Sequence, residues 1–263
     1  MSVRSSSEAL SIELDGIELE CLALRALWWP QAKTLFVADV HLGKAESFRA
    51  LGVPVPAGPQ GPTAATLDRL EHLLQCRPVQ RLVILGDLLH ARAAQSDAVM
   101  APLTQWREGR PSLQIQLLRG NHDTKAGDPP AHLGIEMLDE PSTLGRFRLQ
   151  HEPRHAWTME ASYGGMSDLH RDAQRPGRTS ACGESLMSCE DPGSGIVLSG
   201  HLHPVISLSG RAGDRARLPC FCIAEDEIVL PAFGAFTGGA PVQRLPGTRC
   251  VAIAQDRLFS IAA

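Results

Sequence analysis

Three dense apolar runs, each followed at once by polar side chains, most constrain the fold of this chain. Thr34–Ala38, Arg81–Leu85 and Leu113–Leu118 are short and rich in apolar residues, which is typical of strands covered on both faces. Stretches long enough for a helix separate them, so strand, loop and helix alternate through the first half of the chain. Because ligand sites in such folds lie beyond the carboxyl ends of the strands, the residues that follow each run are candidates for function.

The rest of the chain predicts two helices and several further strands. Leu42–Gly61 carries Gly, Pro and basic residues and predicts a long loop or a broken helix over the strand ends. The other expected elements are a hairpin over Ile12–Leu22, helices over Thr63–Gln75 (with Thr63 as its cap) and Ala98–Trp106, and strands over Thr143–Gln150, Ile196–Ser199, Arg217–Ile223, Glu227–Leu230 and Cys250–Ala254. Residues 161–195 are rich in Gly, Ser, Arg and Pro and predict a flexible insertion. We see no linker that divides the chain, so residues 1–263 are expected to form a single domain.

Oxygen and imidazole donors follow apolar runs at five places along the chain. They are Asp39 and His41, Asp87, Asn121 and His122, His151, and His201 and His203. A set of this kind without Cys suits Mn²⁺, Fe or Zn²⁺ rather than a thiolate-rich structural zinc site. The donors suffice for two divalent metal ions that share one carboxylate. Asp87, alone at the end of its strand, is the natural bridge between them.

Each of these features, taken alone, has an ordinary structural explanation. Gly86-Asp87 resembles any turn, and His151 alone is interpreted more simply as a hydrogen-bonded histidine, for which His155 is a rival. His90 lies close to Asp87, as a neighbour of the ligands would, but a loop histidine is the simpler interpretation. The paired histidines of Gly200-His201-Leu202-His203 are harder to dismiss. Their occurrence with the other four features, in this order and each after an apolar run, favours a metal site.

The tetrapeptide Gly120-Asn121-His122-Asp123 adds an acid–base group to the expected metal ligands. Asn121 offers a neutral carbonyl oxygen to a metal, and His122 offers a proton near neutral pH. Asp123 can hold the His122 ring in one orientation, and Gly120 lets the backbone turn sharply where the strand stops. We therefore expect His122 and Asp123 to be the catalytic residues.

Together these motifs resemble the calcineurin-like metallophosphoesterase superfamily, whose pattern is D-x-H, G-D, G-N-H-D, H and G-H-x-H. All five blocks are present between Asp39 and His203. The resemblance implies an α+β fold, a four-layer α/β/β/α sandwich of two mixed sheets between helices. It implies that His122 faces the scissile phosphate as general acid or charge stabiliser, with Asp123 orienting it. The ligands it implies are Asp39, His41, Asp87 and His203 for one metal, and Asp87, Asn121, His151 and His201 for another.

Further segments that carry a narrower similarity are Asp39-Val-His-Leu-Gly-Lys-Ala, Phe48-Arg49, Gly52-Val-Pro-Val-Pro, Arg217-Leu-Pro-Cys-Phe and Leu230-Pro-Ala-Phe-Gly-Ala-Phe-Thr-Gly-Gly. They resemble the PdeM branch of the superfamily, the ligase-associated DNA damage response endonucleases or phosphodiesterases. The resemblance covers most of the chain and implies a bacterial cytosolic enzyme that works beside a DNA ligase and a helicase. Residues 161–195 depart from the branch, in which we expect a short connection at this place.

The favoured function is a two-metal phosphodiesterase in DNA repair, in which a metal-bound hydroxide attacks phosphorus in line. Lys44 and Arg49, just past the first ligands, are candidates for gripping a substrate phosphate. Solvated loop charges explain these two residues equally well. One alternative function is a pyrophosphatase or phosphomonoesterase that acts on a small nucleotide-type substrate with the same ligands. A non-catalytic metal-binding scaffold is less favoured because the ligand set is intact.

Composition bears on the compartment and on the partners. The net charge of −4 provides no global field that would draw the chain to nucleic acid or to acidic membranes, so DNA as the substrate is the weakest part of the hypothesis. The seven Cys show no C-x-x-C pair, which favours reduced thiols. Met1–Leu10 lacks the apolar core of a secretion signal, and no run is long enough for a membrane span. We therefore expect a cytoplasmic protein.

Overall fold

Two mixed β-sheets and a small number of helices make up the described part of the chain. The computed structural model describes residues 3–6, 8–58, 61–157, 195–209, 214–243 and 245–262. The strands are β1 (Val3–Ser6), β2 (Ala9–Leu14), β3 (Ile17–Leu22), β4 (Ala26–Trp29), β5 (Thr34–Val37), β6 (Arg81–Leu85), β7 (Gln114–Leu118), β8 (Ile135–Leu138), β9 (Ser142–Leu144), β10 (Phe147–Leu149), β11 (Ile196–Ser199), β12 (Pro204–Ser209), β13 (Arg215–Ile223), β14 (Glu227–Val229), β15 (Ala240–Pro241), β16 (Arg249–Ala254) and β17 (Arg257–Ala262). The helices are α1 (Lys44–Ala50), α2 (Pro62–Cys76), α3 (Asp97–Glu108) and α4 (Asn121–Ala126).

The first sheet brings the three apolar runs side by side. Its order is β2-β3-β4-β5-β6-β7-β8. Strands β2 to β5 pair antiparallel, whereas β5, β6, β7 and β8 pair parallel. Because parallel strands point the same way, the carboxyl ends of β5, β6 and β7 meet at one edge of this sheet.

The second sheet contributes the remaining strand ends. Its order is β1-β17-β16-β13-β14-β11-β10-β9, and β12 pairs with β13 and β15. Strand β11 lies between β10 and β14 and is parallel to both. The two sheets meet at Ala38, just past β5, which forms a parallel bridge with Ala232, just past β14. This contact places the carboxyl ends of the two parallel sets next to each other.

The alternation of side chains along each strand divides the core into layers. On β5, Leu35 and Val37 pack with residues of α2 and α3, whereas Phe36 points between the two sheets. On β13, Phe221 belongs to the same inter-sheet core, and Cys222 points to the outer face of the second sheet. On that outer face the described residues are strands and irregular segments rather than helices. The expected α+β sandwich of two mixed sheets is confirmed.

The structure corrects three details of the sequence interpretation. Thr63 does not cap α2, because the helix begins one residue earlier at Pro62, with Gly61 at the N-cap. The single strand expected over Thr143–Gln150 is a hairpin, since Gly145 (φ 60°) turns the chain between β9 and β10. Strands β1, β4, β8, β12, β15 and β17 were not predicted. The insertion expected at 161–195 lies, except for Gly195, outside the described residues.

A buried carboxylate anchors the segment that follows His151. Glu227, on β14, is fully buried, and its oxygens accept hydrogen bonds from the backbone N–H groups of Arg154 (2.6 Å) and His155 (3.2 Å) and from Trp157 Nε1 (2.9 Å). These bonds satisfy a carboxylate that would otherwise be costly to bury.

No helix in the described chain combines the length and the apolar character that a membrane crossing requires.

Candidate metal centre

The predicted ligands converge at the edge where the two sets of parallel strands end. Asp39 and His41 follow β5, Asp87 follows β6, and Asn121 opens α4 after β7. The second sheet adds His151 after β10, and His201 and His203 after β11. Main-chain hydrogen bonds join neighbouring strand ends, since Asp39 N–H donates to Gly86 O (3.2 Å) and His41 N–H donates to Asp87 O (2.8 Å).

An unusual backbone conformation marks these strand ends. Nine non-glycine residues of the described chain have positive φ, and five of them are predicted ligands. The five are Asp39 (54°), His41 (48°), Asp87 (56°), His201 (69°) and His203 (47°). The left-handed region is unfavourable for residues with a Cβ and is retained where the surrounding structure imposes it, often at functional sites. This strain turns successive polar side chains toward one centre.

On one side of the centre lie Asp39, His41, Asp87 and His203. The Nε2 atoms of His41 and His203 are 2.9 Å apart. His41 Nε2 is 3.7 Å from Asp87 Oδ2, and His203 Nε2 is 3.4 Å from Asp39 Oδ1. Asp39 is held in place because the His201 N–H donates to both of its oxygens, at 2.9 and 3.1 Å. Four donor side chains therefore face one another within contact distance.

On the other side lie Asn121, His151 and His201, with Asp87 between the two groups. His151 Nε2 is 3.1 Å from Asn121 Oδ1, 3.2 Å from His201 Nδ1 and 3.6 Å from Asp87 Oδ2. The other nitrogen of His151, Nδ1, donates to the carbonyl of Leu85 at 3.0 Å. That bond fixes the tautomer, so the lone pair of Nε2 is directed at the centre.

Burial favours the neutral form of two of these imidazoles, His41 and His201. It lowers the pKa of His41, and the neighbouring rings of His203 and His122 lower it further. The pKa of His201 is also lowered, first by burial and then by His151. Neutral imidazoles present lone pairs, and the nearby carboxylates present negative charge. This combination of inward-facing nitrogen and oxygen donors fits divalent metal ions. The role of each residue as a ligand remains a prediction.

His122 lies beside this donor set and is held by His90. Its Nδ1–H donates to the carbonyl of His90 at 2.8 Å, and the two rings stack with centroids 4.6 Å apart. The His90 Nδ1 atom is also 3.3 Å from His41 Nδ1, and burial lowers the pKa of His90 to about 4. The sequence interpretation favoured an ordinary loop histidine for His90. The sequence feature that could have indicated its place beside the centre is its position three residues after Asp87.

Asp123 has a different role from the one expected. Its Oδ1 accepts from Leu89 N–H (2.8 Å) and its Oδ2 from Gly120 N–H (3.0 Å), and no bond to the His122 ring is present. Asp123 is the third residue of α4, and its buried carboxylate accepts the backbone N–H at the start of the helix, as in a capping box. Asp123 therefore positions the backbone next to His90, and it is the His90 carbonyl that orients His122.

The two basic candidates differ in where their charges lie. Lys44, at the start of α1, is half-buried and lines a small cavity together with His41. Burial lowers its pKa, and the charges of Asp39 and Asp87 partly offset that shift. The Arg49 guanidinium donates to the carbonyls of Val55 (3.2 Å) and Pro56 (2.7 Å) and pairs with Glu46. The structure thus gives Arg49 a bracing role in the loop after α1. Lys44 remains a candidate for a phosphate contact.

The fold and this donor set define a metal-dependent phosphoester hydrolase. Residues 32–205 match the family described as calcineurin-like phosphoesterase, and the chain belongs to that family. Among solved structures it is similar to the crystal structure of Pseudomonas putida nuclease MPE, with 37% sequence identity and a TM-score of 0.70. That similarity covers 96% of this chain and 100% of the other. The resemblance inferred from the sequence is thereby confirmed.

One curated relative carries an unrelated name. The aspartate carbamoyltransferase catalytic subunit of Thermus aquaticus is 26% identical over 213 residues, which is 79% of this chain and 61% of that protein. This chain therefore spans about three fifths of the length of that relative. At this identity the name carries no functional conclusion for the present chain.

Proposed function

We propose that this protein is a phosphodiesterase that uses two divalent metal ions, with Mn²⁺ as the preferred metal. Asp39, His41, Asp87 and His203 would hold one ion, and Asp87, Asn121, His151 and His201 would hold the other. The observation that carries the proposal is the pair of close imidazole contacts, 2.9 Å between His41 and His203 and 3.2 Å between His151 and His201, on either side of Asp87. Two such ions, when bound, clamp a phosphate and activate a water as the nucleophile.

The side chains of the protein supply orientation and a proton. The bond from His122 Nδ1–H to the His90 carbonyl leaves Nε2 as the nitrogen available to substrate, since Nε2 has no hydrogen-bond partner among the described residues. A protonated Nε2 would donate to the leaving oxygen as it develops charge. Lys44, half-buried near Asp39 and Asp87, would hold a non-bridging oxygen of the phosphate.

The substrate that we propose is a nucleic-acid phosphodiester in DNA repair. The structural similarity to a nuclease supports this choice over a small phosphomonoester. The resemblance to the ligase-associated branch supports association with a DNA ligase and a helicase.

The test is a substrate panel on protein that has been stripped with EDTA and reloaded with Mn²⁺. We expect about two Mn²⁺ per chain by elemental analysis, and hydrolysis of bis(p-nitrophenyl) phosphate and of an oligodeoxynucleotide in preference to p-nitrophenyl phosphate. Asp87→Asn should lose both metal and hydrolysis, whereas Asp97→Asn, which changes an exposed carboxylate, should behave as the native chain. Failure to cleave any diester would refute the proposal, and a preference for the monoester would favour the phosphomonoesterase alternative.

A further inference from the structure

A cleft of about 310 Å³ opens beside the metal centre. His203, one of the predicted ligands, forms part of its wall, so the cleft and the centre are contiguous. The lining also includes Arg25, Arg217 and the small residues Thr237, Gly238 and Gly239. Most of these residues belong to the Arg217-Leu-Pro-Cys-Phe and Leu230–Gly239 segments, which the metal chemistry does not use.

Arg25 and Arg217 bind carbonyl oxygens and have no carboxylate partner among the described residues. Arg25 donates to the carbonyls of Ala232 (3.2 Å) and Gly234 (3.4 Å), and Arg217 donates to the carbonyl of Gly239 (2.8 Å). Neither forms an ion pair with a carboxylate of the described residues. Ion pairs are made instead by Arg49, Arg77, Arg110, Arg119, Arg146 and Arg154. A guanidinium has five N–H donors, so each of the two keeps donors for a ligand.

A third arginine, Arg69, does not line the cleft but binds the loop that borders it. Arg69 binds the carbonyl of Phe233, in the same loop that Arg25 holds, and stacks on the Phe233 ring. Its pKa is lowered to about 10, mainly by burial and further by the charge of Arg25. Burial also lowers the pKa of Arg25. Two half-buried cations next to each other are costly, and an anion in the cleft would relieve this cost.

The remaining wall leaves room for a ligand. Gly238 is exposed, and a Cβ built on it would meet no atom within 4 Å. Thr237 is half-buried, and its hydroxyl donates to Gly234 O at 3.0 Å, which leaves the hydroxyl oxygen able to accept a hydrogen bond. Planar guanidinium donors beside an open, small-residue wall match the geometry of a phosphate group.

We propose that this cleft is a second phosphate-binding subsite, which holds the phosphodiester next to the scissile one in a polynucleotide substrate. The proposal rests on the proposed function. Because His203 borders both places, a chain whose scissile phosphate lies at the metal centre can place its neighbouring phosphate between Arg25 and Arg217. The subsite gives the enzyme a preference for chains with several phosphates over small diesters, and this preference does not require a basic surface over the whole molecule.

The test uses Arg217→Ala, because the exposed Arg217 can be removed without opening the core, and Arg215→Ala on the same strand as its matched control. Substrates are an oligodeoxynucleotide and bis(p-nitrophenyl) phosphate, which has no second phosphate. We expect Arg217→Ala to raise the KM for the oligonucleotide about 10-fold, as the loss of one charge-assisted contact implies. Its KM and kcat for the small diester should stay within about twofold. The salt dependence of oligonucleotide binding should weaken by roughly 0.7 in log–log slope.

A binding measurement separates this proposal from the proposed function. The affinity for a fluorescein-labelled oligodeoxynucleotide is measured in EDTA, so that no hydrolysis is needed for the readout. Weaker binding by Arg217→Ala but not by Arg215→Ala supports the subsite even if turnover is lacking. The subsite is overturned if the two variants bind alike, if native protein does not bind, or if Arg217→Ala affects both substrates equally. Lack of cleavage of both diesters by native protein that still binds the oligonucleotide refutes the function alone.

Discussion

The space at Gly120 is taken up by Asp87, so Gly120→Ala should displace the carboxylate that we place between the two metals. A Cβ built on Gly120 lies 2.1 Å from Asp87 Oδ1, 2.8 Å from its Cγ and 2.6 Å from its backbone nitrogen. The backbone of Gly120 (φ −93°, ψ 177°) is one that alanine adopts without strain. The perturbation is therefore purely one of space.

Relief of the clash requires Asp87 to move by about 1 Å, since real Cβ contacts are rarely shorter than 3.0 Å. This movement would also break the bond from His122 N–H to Asp87 Oδ1, which is 2.8 Å long. Overpacking in a tight site costs about 1–3 kcal/mol of folding free energy, and each kcal/mol lowers the Tm by about 2–4 °C in a chain of this size. A misplacement of ~1 Å at reacting groups lowers kcat/KM by about 10²-fold.

The first assay measures the rate of bis(p-nitrophenyl) phosphate hydrolysis as a function of Mn²⁺ concentration. The second measures Tm in EDTA, so that loss of metal does not contribute to the difference in stability. Gly109→Ala is the control, because Gly109 is exposed and the nearest atom to its added Cβ is 3.4 Å away. We expect the control to leave activity and Tm almost unchanged. Native-like activity and Mn²⁺ dependence in Gly120→Ala would refute the claim that Asp87 occupies a fixed and essential position.

Three further substitutions test separate parts of the centre and the fold. His122→Ala should retain metal, as measured by elemental analysis. Its kcat should fall about 10²–10⁴-fold, because the substitution removes the proposed proton donor. Glu140→Ala removes the carboxylate that accepts the backbone N–H of His151 at 2.7 Å, and should raise the Mn²⁺ concentration for half-maximal activity by up to about 10-fold, the effect of one lost hydrogen bond, whereas Asp139→Ala should not. Glu227→Leu leaves three N–H donors without an acceptor and should lower the free energy of unfolding by about 3–5 kcal/mol in a urea titration.

A specific outcome would contradict each of these three expectations. Unchanged kcat in His122→Ala would remove that residue from the mechanism. Equal Mn²⁺ dependence in Glu140→Ala and Asp139→Ala would show that Glu140 does not position His151. For Glu227, the control is Glu225→Leu, which changes an exposed carboxylate in the turn just before β14 and should cost less than about 0.5 kcal/mol. Similar stabilities of the two Leu variants would mean that the buried hydrogen bonds of Glu227 contribute little.

The sequence by itself was enough to predict where the polar donors of the centre lie along the chain. Each donor follows an apolar run, and a buried strand with a turn after it is a local pattern. For this reason β5, β6, β7 and β11 were predicted close to their observed bounds, and the predicted donors lie together at one sheet edge. The family pattern added the grouping of these donors into two sets.

The roles of individual side chains depended on contacts between distant parts of the chain. Asp123 bonds to Leu89 rather than to its neighbour His122, and His122 is oriented by His90, 32 residues away in sequence. Arg49 was a candidate for a phosphate contact or a solvated loop charge, and its guanidinium braces its own loop. A sequence motif shows which groups are available, whereas hydrogen-bond geometry decides which partner each group takes.

The cleft beside His203 was not predicted from the sequence, because it also depends on contacts between distant parts of the chain. Arg25 comes from a turn before β4, and its partners Ala232 and Gly234 are more than 200 residues further along the chain. Only the packing of the first sheet against the second brings them together. Local sequence thus determined the kinds of donor and their order, because strands and turns form from neighbouring residues. Tertiary structure decided their partners, because burial and close approach depend on segments that the sequence keeps far apart.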